Sequence, residues 1–333
     1  MSGTSRRAGR WAALCVTMAT VAGSLGLLSG PAAATGTPDG SRIERIIETD
    51  ARHETLQVYS AAMDRTITMR VLRPTRTSRP SPVLYLLNGA EDGIGPGGAE
   101  TSWGTRTDID AFTADRDVNV VNILDGRYSY YTDWLTDDPI LGRNKWTTFL
   151  TRELPPLLDA QLHTTGRNAI AGVSMSATSV LALAESAPGL YAAVGSFSGC
   201  ARTGADPGRR YAQAVVASGG GDPWNMWGPD GAPGWRAADP TTPDHLARLR
   251  GTTVRVTAGV PGPGPEAPGV EDPAAGGMLE SVVAGCTRDL QQATEAAGIP
   301  VTYRYIPGGL HAWPYWERSL HEAWPDFERA LAG

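Results

Sequence analysis

The nine residues Asn168-Ala-Ile-Ala-Gly-Val-Ser-Met-Ser176 run from an apolar, strand-like segment through a Gly-x-Ser-x-Ser turn into a helix-forming segment. Such a turn is so tight that the residues two before and two after its serine must be small, as Gly172 and Ser176 are. The serine itself takes a strained backbone that lifts its hydroxyl clear of the sheet. Ser174 is therefore the candidate nucleophile. A hydroxyl with an unperturbed pKa stays protonated at neutral pH and attacks poorly, so the chemistry also needs a base within hydrogen-bond reach and a carboxylate to orient that base. In a chain with 40 glycines the turn is a weak sign by itself, and its surroundings must decide.

When serine, acid and base follow one another in that order, the histidine sits on a loop after the last strand. His311 fits: it follows the strand-like Val301 to Ile306 and the turn Pro307-Gly-Gly309, and it precedes the final helical segment. His53 and His163 come before the serine, while His245 and His321 lie in segments that read as helical and solvated, so these four are expected in surface or capping roles. The acid must fall between Ser174 and His311. Glu266, Glu271 and Asp272 lie in a Gly/Pro-rich stretch, and Glu280 begins the helical segment Met278-Leu-Glu-Ser281; spacing leaves all four open. Negative charge on a tetrahedral intermediate needs two backbone donors. Met175, directly after the nucleophile, supplies one by position, and the loop Asn88-Gly-Ala90 supplies the other, with Ala90 as the donor. No Cys or His pair has metal-ligand spacing and no glycine loop cradles a phosphate, so no metal and no cofactor is expected.

The elements that must hold these residues alternate. Glu54 to Ala61 and Arg65 to Leu72, separated by Met63-Asp64, predict an antiparallel opening hairpin. Val83 to Leu87, Val118 to Leu124, the run through Ile170, Ala193 to Ser196 and Thr253 to Thr257 are short apolar runs typical of strands buried on both faces. Helical patterns at Thr147 to Leu162, Ala177 to Ser186, Met278 to Ala297 and Tyr315 to Leu331 lie among them. The sequence predicts an α/β-hydrolase fold: one domain over residues 35–333, with a mostly parallel, doubly wound sheet and helices on both faces. The stretch Pro261 to Gly277 reads as a long loop beside the site rather than a linker, and the Trp-rich stretch Gly219 to Trp235 as a cover for the site.

Residues 1–34 have the parts of a cleaved export signal: Arg6, Arg7 and Arg10, an apolar stretch from Trp11 to about Leu28, then Pro31-Ala-Ala-Ala34. Glycines, serines and a proline interrupt the apolar stretch, which argues against a transmembrane anchor. Ser5-Arg6-Arg7 hints at a twin-arginine route. Cys15 would leave with the signal. Without its three arginines the chain keeps 26 basic and 35 acidic residues, a formal charge of −9, so nucleic acid is not an expected partner. Cys200 and Cys286 remain, an even number in an exported chain, and are expected to form a disulfide.

The words Leu84-Tyr-Leu-Leu-Asn-Gly89, Tyr130-Tyr-Thr-Asp-Trp134, Lys145-Trp-Thr-Thr-Phe-Leu-Thr-Arg-Glu-Leu-Pro155, Gly172-Val-Ser-Met-Ser176 and His311-Ala-Trp-Pro-Tyr-Trp316 together resemble the exported mycolyltransferases of mycobacteria and corynebacteria, the antigen 85 type within the esterase-D-like α/β-hydrolases. The resemblance spans residues 80 to 320. It implies that Ser174 takes a mycolyl chain from trehalose monomycolate and passes it to a hydroxyl of a trehalose glycolipid or of arabinogalactan, in a monomeric protein of the cell envelope or its surroundings. It also selects Glu280, which follows an apolar pair about thirty residues before the histidine, and it matches Ala90 and Met175 as oxyanion donors. Trp134, Trp313 and Trp316 could line a sugar pocket. Family members often carry an aspartate and an arginine where this chain has Asn88 and Glu91; Asn88 can still bond a hydroxyl, and Glu91 in place of a cation puts the acceptor in doubt. Two other readings stay open: a secreted carboxylesterase, and a non-catalytic surface protein that binds carbohydrate or matrix.

Overall fold

The computed structural model describes residues 36–264 and 268–333, so the export signal and Glu266 lie outside the described residues. Nine strands form one sheet: β1 (Arg42–Glu48), β2 (His53–Ser60), β3 (Arg65–Leu72), β4 (Ser81–Leu87), β5 (Asn119–Ile123), β6 (Thr164–Val173), β7 (Tyr191–Phe197), β8 (Thr253–Val260) and β9 (Thr302–Pro307), in the order β1-β2-β3-β5-β4-β6-β7-β8-β9. The first three pairings are antiparallel and all from β5 onward are parallel.

The central strands are mostly apolar because both of their faces are covered. Val83, Tyr85 and Leu87 of β4 enter one core cluster, while Leu84 and Leu86 enter the other, as the two-residue period of a strand requires. The first cluster takes in helices α1 (Leu154–Leu162) and α2 (Met175–Ser186); the second takes in α5 (Trp313–Ala332). Between them in sequence lie α3 (Gly208–Ser218) and α4 (Pro273–Ala296). Among the described residues, no helix is long and apolar enough to cross a membrane.

Three details differ from expectation. Strand β1 was not anticipated: only Ile43 of its seven residues is buried, and its arginines and glutamates give it the charge of a protected sheet edge. Helix α4 begins at Pro273 rather than Met278, with Asp272 accepting the Ala275 N–H at 3.0 Å and proline in the first turn. The Trp-rich stretch does not cover Ser174. It forms short helices at Pro223–Trp227 and Pro233–Ala237, buries Trp227 against Tyr130 and Trp235, and leaves Trp224 exposed.

Cys200, just past β7, and Cys286, midway along α4, are joined in a buried disulfide across 86 residues of sequence. In the chain-entropy view a loop of that length contributes up to about 4 kcal/mol. The double variant Cys200→Ala/Cys286→Ala should therefore unfold at clearly lower guanidinium concentration, and an unchanged midpoint would count against any stabilising role.

Candidate active site

Ser174 joins β6 to α2 with φ 55° and ψ −119°, a conformation that costs a side-chain-bearing residue roughly 1–3 kcal/mol. The neighbours enforce it. The Ser174 N–H donates to Phe197 O at 2.9 Å, and Ser176 Oγ accepts the Val173 N–H at 2.9 Å while donating to Leu87 O at 3.1 Å. A Cβ on Gly172 would stand 2.6 Å from the carbonyl oxygen of Ser176. The small residues on either side of the serine are thus required by contact with each other.

His311, on the loop between β9 and α5, places Nε2 2.8 Å from Ser174 Oγ and Nδ1 2.7 Å from Glu280 Oε1. The other carboxylate oxygen accepts the Gly259 N–H at 2.5 Å. Glu280 projects from the third turn of α4, not from its start, and the helix reaches the histidine loop through glycines. Gly276 O accepts the His311 N–H at 3.3 Å, and a Cβ on Gly259 would lie 2.3 Å from Gly309 O. The side chains of His311 and Glu280 are 7% and 2% exposed, and the edge of the His311 ring meets Trp316 at 5.1 Å between centroids. An imidazole so held can accept the Ser174 proton on Nε2 while Nδ1–H donates to the carboxylate. The rival acids are engaged elsewhere: Glu271 pairs with Arg106 at 2.9 Å and Asp272 caps α4.

A cavity of about 790 Å³ opens over Ser174 and His311, with Ala90, Trp313 and Trp316 in its wall. Gly89 brings the β4 loop close, its absent Cβ position lying 3.7 Å from Ser174 Cβ. The Met175 N–H, at the first position of α2, is one of the donors a helix leaves without an internal acceptor. Two residues expected to touch substrate lie elsewhere. Asn88 is fully buried, donating to Ile123 O at 2.6 Å and accepting from Asn122 at 3.1 Å, so its amide ties the loop to β5 instead of facing the cavity. Trp134 is 1% exposed and donates to Ser129 O, a core position. Glu91 is exposed on the cavity rim.

The remaining histidines are local: His53 lies between Asp50 and Asp110, His163 ends α1 in the left-handed region, His245 stands 3.7 Å from Glu185, and His321 bonds Asp108. Sequence reading missed two cavity residues. Tyr211 of α3 lines the cavity beside Ser174; burial raises its hydroxyl above the usual range, and the nearby Ser174 hydroxyl partly opposes the shift. Asp92 lies beside the oxyanion loop, and burial raises its carboxyl to about 6 despite the opposing effect of the Gly89 backbone and of Arg106. Neither stands in a recognisable pattern; only the folding of α3 and of the β4 loop brings them to the serine.

A serine exposed at a strand-to-helix turn, bonded to a histidine that is bonded to an acid, on a mostly parallel sheet, defines the esterase class of α/β-hydrolases. The family model described as "Putative esterase" matches residues 60–327. Among curated proteins, the diacylglycerol acyltransferase/mycolyltransferase Ag85A of Mycobacterium tuberculosis (strain ATCC 25618 / H37Rv) is 32% identical over 293 residues, covering 84% of this chain and 81% of its own. Ag85B of Mycobacterium leprae (strain TN) is 30% identical over 344 residues, 99% and 97% of the two chains. The chain belongs to this esterase family, in its acyltransferase/mycolyltransferase branch. Among solved structures, Mycobacterium tuberculosis MPT51 (FbpC1) superposes with a TM-score of 0.70 at 27% identity, over 85% of this chain and all of that one. An S-formylglutathione hydrolase from Agrobacterium tumefaciens, 14% identical with a TM-score of 0.64 over 87% and 99%, shares the fold.

The Asp92 carboxyl has a sign that can be measured. With a folded value of about 6, above the usual carboxylate range, the folded state binds a proton more readily than the unfolded chain between about pH 4 and 6. This group's contribution to stability therefore falls as pH rises through that window and is level above it. Asp92→Asn should flatten the urea midpoint against pH there; an unchanged slope would exclude the carboxyl as its source.

Proposed function

We propose that the chain is a serine acyltransferase that moves a mycolyl group from trehalose monomycolate, through an ester on Ser174, to a hydroxyl of a trehalose glycolipid or of arabinogalactan. The single observation that carries the reading is the unbroken chain of hydrogen bonds from Ser174 through His311 to Glu280, set in a sequence about 30% identical to named mycolyltransferases. Ser174 Oγ attacks the ester carbonyl as its proton passes to His311 Nε2, and Glu280 stabilises the imidazolium. Ala90 and Met175 N–H groups receive the oxyanion. Collapse of the intermediate breaks the bond to the departing sugar oxygen, which takes the proton from His311. The incoming sugar hydroxyl then gives its proton to His311 and its oxygen to the acyl carbon, freeing Ser174. Trp313 and Trp316, in the cavity wall, offer apolar faces to the sugar. We further infer that residues 1–34 are an export leader, which suits an enzyme working on envelope glycolipids.

Purified protein without that leader should convert trehalose monomycolate to the dimycolate. Ser174→Ala should abolish turnover, and Glu280→Gln should lower it by on the order of 10⁴-fold. Intact mass after brief exposure to donor should show an acyl adduct on Ser174 that persists until trehalose is added. An adduct lost equally fast without sugar would make the protein an esterase, and failure of Ser174 to react with a fluorophosphonate would make it non-catalytic.

A further inference from the structure

A second cavity, of about 310 Å³, runs along the flank of the nucleophile helix α2 and shares no lining residue with the one over Ser174. Thr178, Ser179, Ala182 and Glu185 line it at the spacing of one helical face, and Tyr131 and Trp227 stand in its wall. Glu185 is 2% exposed, and neither of its carboxylate oxygens has a hydrogen-bond partner. Thr178 Oγ1 and the Tyr130 hydroxyl, on residues 3% and 2% exposed and in the same lining, are likewise without partners among the described residues. Leaving four buried polar atoms uncommitted around one space is costly for structure alone.

The surroundings restrict what could pair with them. His245 Nδ1 stands 3.7 Å from Glu185 Oε2 and Arg248 lies in the same wall, so an incoming cation would meet a guanidinium already there. Burial, helped by the Asp239 charge and opposed by Arg248, pushes the Glu185 carboxyl well above its ordinary range; an incoming anion would meet the Asp239 charge and pay the same desolvation. A neutral guest rich in hydroxyls avoids both penalties. Either form of the carboxyl suits it, since the ionised form accepts from two hydroxyls and the neutral form accepts and donates. Tyr131 and Trp227 provide an apolar surface for the C–H face of a ring.

We propose that this cavity is a sugar-binding site, holding one neutral pyranose unit with two adjacent hydroxyls paired to Glu185 and others reaching Thr178 and Tyr130. The proposal does not rest on the acyltransferase reading, because no residue of this cavity takes part in the acyl chemistry.

The test is a titration of the whole folded protein with methyl α-glucopyranoside and with trehalose, read by saturation-transfer NMR, with Ser174 either free or phosphonylated. Saturable millimolar binding that survives phosphonylation, and weakens by about tenfold or more in Glu185→Leu and in Ala182→Phe, is the expected result. Ala182→Phe fills the space without removing a polar group, so it decides the matter if Glu185→Leu fails to fold. Absence of saturable binding up to about 100 mM of either sugar, binding unaffected by Ala182→Phe, or a soaked crystal with ordered water alone on Glu185 would overturn the proposal.

Discussion

The approach of Ser176 to the missing side chain of Gly172 is the constraint on which the site depends. The carbonyl oxygen of Ser176 lies 2.6 Å from where a Cβ on Gly172 would stand, and at this tight turn β6 passes into α2 through Ser174 with positive φ. The strain is held by bonds to both neighbouring strands: the Ser174 N–H reaches the end of β7, and Ser176 Oγ reaches the end of β4. Both neighbours are parallel to β6, so their carboxyl ends finish at the same edge of the sheet. The hydroxyl therefore emerges where the loops after β4, β8 and β9 can all reach it.

Each loop uses that edge differently. The loop after β4 is anchored from below by Asn88 and contributes backbone to the cavity. The ends of β8 and β9 come together through Gly259 and Gly309, close enough that neither tolerates a side chain. That close approach lets the Gly259 N–H fix one oxygen of Glu280 while the other meets His311. The long helix α4 thus lends one carboxylate to both the end of β8 and the histidine loop, and both of its oxygens are occupied. The disulfide at Cys286, six residues further along α4, ties the same helix to the segment after β7.

Much of this was legible in the residues. The apolar runs of β4 to β8 and the small–serine–small turn follow from local rules, and the order of serine, acid and histidine follows from the topology those strands impose. The antiparallel hairpin of β2 and β3 was equally plain in its alternation, whereas β1 was hidden because one buried isoleucine in a charged edge strand leaves almost no pattern. The start of α4 was misread because Gly276 and Gly277 suggest a loop; the helix keeps them where His311 must pass close by. Asn88 and Trp134 show the limit of reasoning by residue type. An amide and an indole suit a sugar, yet each is spent on an internal carbonyl, and only the fold decides which way they point. Tyr211 and Asp92 come to the serine from segments with no motif at all.

The cavity over Ser174 is lined by Glu91, Asp92, Glu271 and Asp272, and the one guanidinium among its described lining residues, Arg106, is already paired with Glu271. Such a lining acts as an electrostatic filter. Anions approach it against like charge, whereas uncharged molecules meet no such barrier. The filter reaches only about 8 Å at physiological ionic strength, so it sorts molecules at the mouth and leaves the chemistry at the serine untouched. The charges at the mouth and the serine beneath them thus belong to different parts of the same cleft.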